Sequence, residues 1–300
     1  MDFGKRSDLD GVSFALPTDA PATTRCLASA TPPPPEDAPW LRMGAPAWAR
    51  RDWLGSLYPA GTPPARFLER YAERLPAIEL NATFYREPNE ATIASWVKDT
   101  PPSFRFCPKF PRPITHDLGL REEALPRAFA FHALMSGLGP RLGPYLLQLP
   151  PTFAPRHAAA LARFVAGFPG PLAVEFRHPD WFVGQQLQPL ALRALGKSPN
   201  AGTVITDVAG RRDVCHATLT TPTAFVRFVG NALHPSDEAR TAVWLDRLMA
   251  WRSAGLHTAY WFVHQPDDRL APELLDRAAA LAQGRGLTTG VVRARQLSLL

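Results

Sequence analysis

Eight short apolar runs, spaced a few tens of residues apart and separated by segments of helical period, restrict this chain to very few folds. The runs lie at 41–48, 77–84, 103–109, 144–149, 172–177, 202–207, 224–229 and 258–264, each flanked by Pro, Gly or Asn. Between them, apolar residues recur at a spacing of three to four and so share one helix face. Ile93, Trp96 and Val97 form one such stripe, with Asn89 placed to cap it, and Phe131, Leu134, Met135 and Leu138 form another. Leu161, Phe164, Val165 and Phe168 repeat it, as do Trp244, Leu248 and Trp251, then Leu274, Ala278 and Leu281. Residues 208–222 show no helical period. Eight strand–crossover units predict an α/β chain folded as a single-domain (β/α)8 TIM barrel. An open doubly wound sheet is the rival, but it normally carries a Gly-rich turn after its first strand, and Gly44-Ala-Pro-Ala-Trp48 is not one.

Residues 1–39 read differently. They hold six acidic residues against three basic ones, seven prolines including Pro32 to Pro35, and no amphipathic period. The expectation is a disordered, acidic, Pro-rich tail at 1–39 preceding a barrel domain at 40–300. Residues 11–16 are too short for a secretory core and are broken by Pro17. No apolar run reaches the roughly 18–20 residues of a membrane span, so no membrane association is expected. Cys26, Cys107 and Cys215 lack metal-type or disulfide-framework spacing. These features together predict a cytoplasmic protein with reduced thiols.

In a barrel the functional end is the carboxyl end of the strands. Polar groups within apolar strands are costly unless they pair or work, and nearly every strand here ends in one. Strand two carries Glu79 and Asn81 with Tyr85 beyond; strand three ends in Lys109, followed by His116. Gln148 closes strand four. Strand five carries Glu175 and Arg177, then His178 and Trp181. Asp207 ends strand six, Arg227 lies in strand seven ahead of Gly230 and Asn231, and His264 ends strand eight. Each has a structural explanation if taken singly: an ion pair for Glu79 or Glu175, a core histidine for His264, rim packing for Trp181. Their convergence from seven strands is what points to a site.

Charge selects among chemistries. Glu79, Glu175 and Asp207 balance Lys109, Arg177 and Arg227, so the ring is neutral without a metal, and no cofactor is expected. The cations suit a phosphate or carboxylate, and Gly230-Asn231 lies where barrels often hold phosphate on backbone N–H groups. The expected partner is a small anionic molecule. Glu79, Glu175, Asp207, His178 and His264 are the acid–base candidates; Asn81, Tyr85, Lys109, His116, Gln148, Arg177, Trp181, Arg227, Gly230 and Asn231 are the substrate-binding ones. Two alternatives stay open. One is a metal-dependent hydrolase or isomerase of the endonuclease IV or xylose isomerase type, with Glu79, Glu175, Asp207, His178 and His264 as ligands. The other is a non-catalytic RNA- or protein-binding barrel. The net charge of +6 leaves nucleic acid open as a partner, but 29 scattered arginines without a basic run do not favour it.

Several stretches together resemble the YecE-like family, also called domain of unknown function 72. They are Trp53-Leu-Gly-Ser-Leu-Tyr-Pro59, Glu79-Leu-Asn-Ala-Thr-Phe-Tyr-Arg86, Phe104-Arg-Phe106 with Lys109, and Ile114-Thr-His116. Further along come Leu147-Gln-Leu-Pro-Pro151, Val174-Glu-Phe-Arg-His-Pro-Asp-Trp-Phe182, Val226-Arg-Phe-Val-Gly230 and Tyr260-Trp-Phe-Val-His-Gln265. The resemblance runs from about 41 to 290 and implies a TIM barrel. It implies no catalytic role, because the activity of the family is not established. Gly44-Ala-Pro-Ala-Trp48 departs from the Gly-x-x-Gly-Trp-like opening usual in members.

Overall fold

The computed structural model describes residues 4, 6, 8–31 and 39–292. Eight strands, β1 (Leu41–Ala45), β2 (Ala77–Leu80), β3 (Arg105–Pro108), β4 (Tyr145–Gln148), β5 (Leu172–Glu175), β6 (Ala201–Asp207), β7 (Thr223–Val229) and β8 (Thr258–His264), form one sheet. All its pairs are parallel, in the order β3-β2-β1-β8-β7-β6-β5-β4. The two ends meet through parallel bridges Phe106–Leu142 and Lys109–Leu146, and Phe110 N donates to Leu146 O at 3.1 Å. The (β/α)8 barrel expected from the strand pattern is thereby formed.

The helices that follow the strands bury the stripes read from the sequence. Over Glu90–Lys98, Asn89 Oδ1 accepts from Thr92 N at 2.8 Å and so satisfies one orphan donor of the first turn. Phe131 and Met135, Leu161 and Phe164, and Trp244 with Leu248 and Trp251 are all buried. No helix of the described residues is long and apolar enough to cross a membrane.

Strand periodicity decides what fills the barrel. Ala77, Cys107, Leu146, Ala173, Val204, Phe225, Tyr260 and Phe262 form a separate apolar cluster, and paired registers place them on the inner face. Two residues further along the same strands stand Glu79, Lys109, Gln148, Glu175, Thr206, Arg227 and His264. The interior is thus an apolar layer capped by a polar one at the carboxyl end. Strand β1 adds Gly44 to this wall. A Cβ there would lie 2.1 Å from Ala77 O and 3.0 Å from the Phe262 ring, so only glycine fits.

The expectation of disorder over 1–39 is corrected for 8–31. Pro21–Ala28 is a helix lying against the β6–β7 crossover, which itself holds only a short 3-10 turn at Arg212–Val214. Thr23 is buried; its Oγ1 donates to Ala217 O at 2.6 Å and accepts from Leu219 N at 2.8 Å. Asp19 accepts from Arg247 Nη1 and Trp251 Nε1 of helix Pro235–Ser253. Burial of Leu27 contributes roughly 1.5–3 kcal/mol. This helix covers a flank that the 208–222 crossover leaves without one. The rest of the predicted tail, 1–3, 5, 7 and 32–38, lies outside the described residues.

Candidate functional site

Arg227 lies at the centre of the polar layer, fully buried. Its Nε and Nη2 donate to Glu79 Oε2 and Oε1, both at 2.9 Å. Its Nη1 donates to Glu175 Oε1 and Oε2 at 2.9 and 3.1 Å. Glu175 also accepts from Thr206 Oγ1 at 2.8 Å and from Gln148 Nε2, and Arg177 Nη2 stands 3.5 Å from it. Gln148 Oε1 accepts from Lys109 Nζ at 2.8 Å. On the other side Glu79 accepts from Asn81 Nδ2 at 2.8 Å, with His264 Nε2 at 3.3 Å. One network therefore joins eight of the expected residues, Glu79, Asn81, Lys109, Gln148, Glu175, Arg177, Arg227 and His264. Buried charges persist when paired in this way.

Above the network opens a cleft of about 580 Å³. Lys109, Gln148, Arg177, Asn81 and His264 line it from below, and Phe84, Tyr85, Arg112, His116, Pro46 and Asp268 from the sides. The turn Ala82–Tyr85 is fixed by Thr83, whose Oγ1 bonds Leu80 O at 2.8 Å and Lys109 O at 2.6 Å. That turn carries Phe84 against Lys109, with Nζ 4.0 Å from the ring centroid. His116 stands on a π-helical turn, Pro113–Asp117, its ring 4.9 Å from Phe84 and its Nδ1 2.8 Å from Thr115 Oγ1. Such turns often mark functional sites.

Electrostatics divides these groups by task. Burial raises the Glu79 carboxyl, but Arg227 and His264 outweigh it and hold it well below the usual carboxylate range. Burial likewise opposes ionisation of Glu175, yet Arg177 and Arg227 bring it down to about 2. Both are poor proton acceptors. Lys109 is different: burial, then Arg227, lower it to about 8, with Glu175 partly opposing. Burial and the neighbouring Lys109 lower His116 to about 4, so its imidazole is neutral at pH 7.

Other expected residues stand elsewhere. Asp207 faces outward from β6, where it accepts from Trp244 Nε1 at 2.8 Å and pairs with Arg240 at 3.3 Å and with Arg212. It lies one residue out of phase with the inner face; Thr206 holds the inward position. His178 caps a short turn, accepting from Asp180 N at 3.2 Å, and does not line the cleft. Trp181 is buried, donates to Phe153 O at 2.6 Å and packs 4.9 Å from Phe176. Gly230 N donates to His264 O and Asn231 N to the Asp237 carboxylate, so both amides are committed to protein acceptors. They border a separate cleft of about 440 Å³ that shares His264 with the first. The expected charge balance is corrected accordingly: without Asp207, Glu79 and Glu175 face three cations. Sequence reading missed Thr206, Phe84, Arg112 and Asp268. Among the described residues, no group of three or more His, Cys, Asp or Glu is placed to hold a metal ion.

Apart from Thr206, this polar layer and the turn over it are built from the stretches that carried the family resemblance. Residues 42–296 match the family described as protein of unknown function DUF72. The chain belongs to the DUF72 family. It is 33% identical over 255 residues to the UPF0759 protein YecE of Escherichia coli K12, covering 78% of this chain and 90% of that protein. It is 30% identical over 153 residues to the UPF0759 protein YunF of Bacillus subtilis, covering 47% and 52% of the two chains. A DUF72 family protein from Enterococcus faecalis superposes with a TM-score of 0.63 at 19% identity, over 83% of this chain and 96% of that one. One from Thermotoga maritima gives 0.60 at 22% identity, over 82% and 99%. At these identities the solved structures bear on the fold alone.

Proposed function

We propose that this DUF72 member is an enzyme that needs no metal and acts by acid–base chemistry on a small anionic molecule, bearing a phosphate or carboxylate, at the carboxyl end of the barrel. One observation carries the reading. The charged side chains lining the main cleft are three cations, Lys109, Arg112 and Arg177, against the single carboxylate of Asp268 among the described residues. In this reading Arg177 and Arg112 hold the anion, with Arg177 steadied by Glu175. Lys109 exchanges the proton, because a pKa of about 8 leaves a useful fraction of neutral amine near physiological pH. His264 is the second exchanging group, its ring oriented by Glu79. Glu79, Glu175 and Arg227 are positioning residues. They form an ion-paired layer beneath the cleft, two carboxylates sharing one guanidinium, that fixes the groups above.

The test is a thermal-shift screen of small phosphates and carboxylates, followed by titration of inorganic phosphate into wild type, Arg177→Ala and Lys109→Met. A ligand at a hundred times its Kd stabilises the native state by about 2.7 kcal/mol. Arg177→Ala is expected to weaken binding about tenfold or more. Lys109→Met is expected to abolish turnover of any substrate found while keeping most of the binding. Failure of every anion to stabilise the protein, or unchanged affinity in Arg177→Ala, overturns the reading.

A further inference from the structure

Tyr85 is 83% exposed, the most exposed large apolar side chain among the described residues. It stands at the mouth of the cationic cleft. Lone exposed aromatics are ordinary on protein surfaces and need no explanation. Two features set this one apart.

The first is how it is held. The Tyr85 ring meets Phe84 edge-on, with centroids 5.1 Å apart and planes at 88°. Phe84 is itself gripped by Lys109 at 4.0 Å and by the His116 ring at 4.9 Å. Tyr85 thus belongs to the turn that Thr83 fastens to the carboxyl end of β3, the strand that delivers Lys109. It is an aromatic surface supported from below, beside the anion-binding cations, with most of its area in water.

The second is size. At about 580 Å³ the cleft falls in the range of roughly 300–1,000 Å³ that accommodates drug-sized ligands. A bare phosphate or a short carboxylic acid would occupy only its cationic floor. The walls beyond that floor carry Pro46, Phe84 and Tyr85, apolar groups suited to a ring, beside the polar Arg112, His116 and Asp268.

From these features we infer that the cleft takes an anion carrying a flat ring, its phosphate or carboxylate on Arg177 and Arg112 and the ring against Tyr85. Nucleotides and aryl phosphates or carboxylates share this chemistry. The inference rests on the anion-binding reading above and names the class of molecule bound there. An aromatic side chain stacked on a planar ligand loses little conformational freedom, because it has only two side-chain torsions to fix. Removal of such a platform typically weakens ring binding on the order of tenfold or more.

The experiment compares phenyl phosphate, cyclohexyl phosphate and methyl phosphate, which share one charged head, by calorimetric titration into wild type, Tyr85→Ala and Tyr85→Phe. Benzoate against acetate forms a second arm that separates a carboxylate head from a phosphate one. Expected is phenyl phosphate about tenfold or more tighter than methyl phosphate, with cyclohexyl phosphate between them. Tyr85→Ala should erase that advantage and leave methyl phosphate affinity unchanged, while Tyr85→Phe retains it. An advantage seen only for benzoate over acetate supports the ring and assigns a carboxylate head. Equal binding of phenyl and methyl phosphate in wild type, without a benzoate preference, overturns the inference and leaves the anion-binding reading standing. So does a ring preference that survives in Tyr85→Ala. Absence of binding by any of the five probes overturns both.

Discussion

Replacing Lys109 with methionine tests whether a group of the cleft is held against the interest of the fold. Lys109 is 8% exposed and lies near Arg227 and Arg177, and its pKa falls from 10.5 to about 8. A drop of that size corresponds to roughly 3 kcal/mol of native-state destabilisation at pH 7. Methionine keeps much of the apolar stem and removes the charge. Against this gain, Gln148 Oε1 loses its donor, which costs about 1–3 kcal/mol. The net at pH 7 is a variant about 0–2 kcal/mol more stable than wild type. The pH dependence is the sharper reading. Between about 8 and 10.5 the unfolded chain binds more protons at this residue than the folded one does, so wild-type stability from Lys109 rises with pH across that window. The variant's relative stability should therefore fall by about 2–3 kcal/mol between pH 7 and pH 10. Urea unfolding of both proteins at the two pH values measures it, and alkaline titrations elsewhere cancel in the difference. A stability difference that stays constant from pH 7 to pH 10 refutes the reasoning, because the buried ammonium would then carry no desolvation cost.

Glu79→Gln leaves Arg227 with an incomplete set of carboxylates and should cost about 3–5 kcal/mol in urea unfolding, more than a surface Glu→Gln control. The stability supplied by the lowered carboxyls of Glu79 and Glu175 is present above about pH 4.5 and is lost as pH falls towards about 2; an acid titration of unfolding free energy should steepen there and flatten in Glu79→Gln. Asp207→Asn should lower stability by removing a charge paired with Arg212 and Arg240, yet leave phosphate affinity unaltered, since the residue faces away from the cleft. Thr23→Val leaves Leu219 N–H without its acceptor and should cost about 1–3 kcal/mol in denaturant unfolding, again without changing anion affinity.

Much of the site was legible because strands impose a two-residue period that a reader can follow without coordinates. Wherever an apolar residue faces the barrel axis, the residue two places on faces it too, and Glu79, Gln148, Glu175, Arg227 and His264 all obey that rule. Asp207 broke it. Its charge drew attention at the end of β6, but counting from Val204 selects Thr206. Past the strand ends the rule lapses, which is why His178 and Trp181 were misplaced and Arg112 and Asp268 were missed. Loop backbone follows local turns and caps rather than a fixed period. The amides of Gly230 and Asn231 illustrate a further limit: position in the barrel suggested a phosphate seat, but Asp237, from the next helix, already supplies the anion. The helix at Pro21–Ala28 was hidden for another reason. It is short, has no side-chain cap, and is stabilised by partners almost two hundred residues away.

That separation carries a cost in time. Thr23 and Ala217, which bond in the finished protein, are 194 positions apart. At translation speeds of about 5–20 residues per second, the segment leaves the ribosome roughly 10–40 s before its docking surface has been synthesised. Until then Leu27 and the hydroxyl of Thr23 must wait in water or on a chaperone, and the flank over the 208–222 crossover is covered by a segment made well before it.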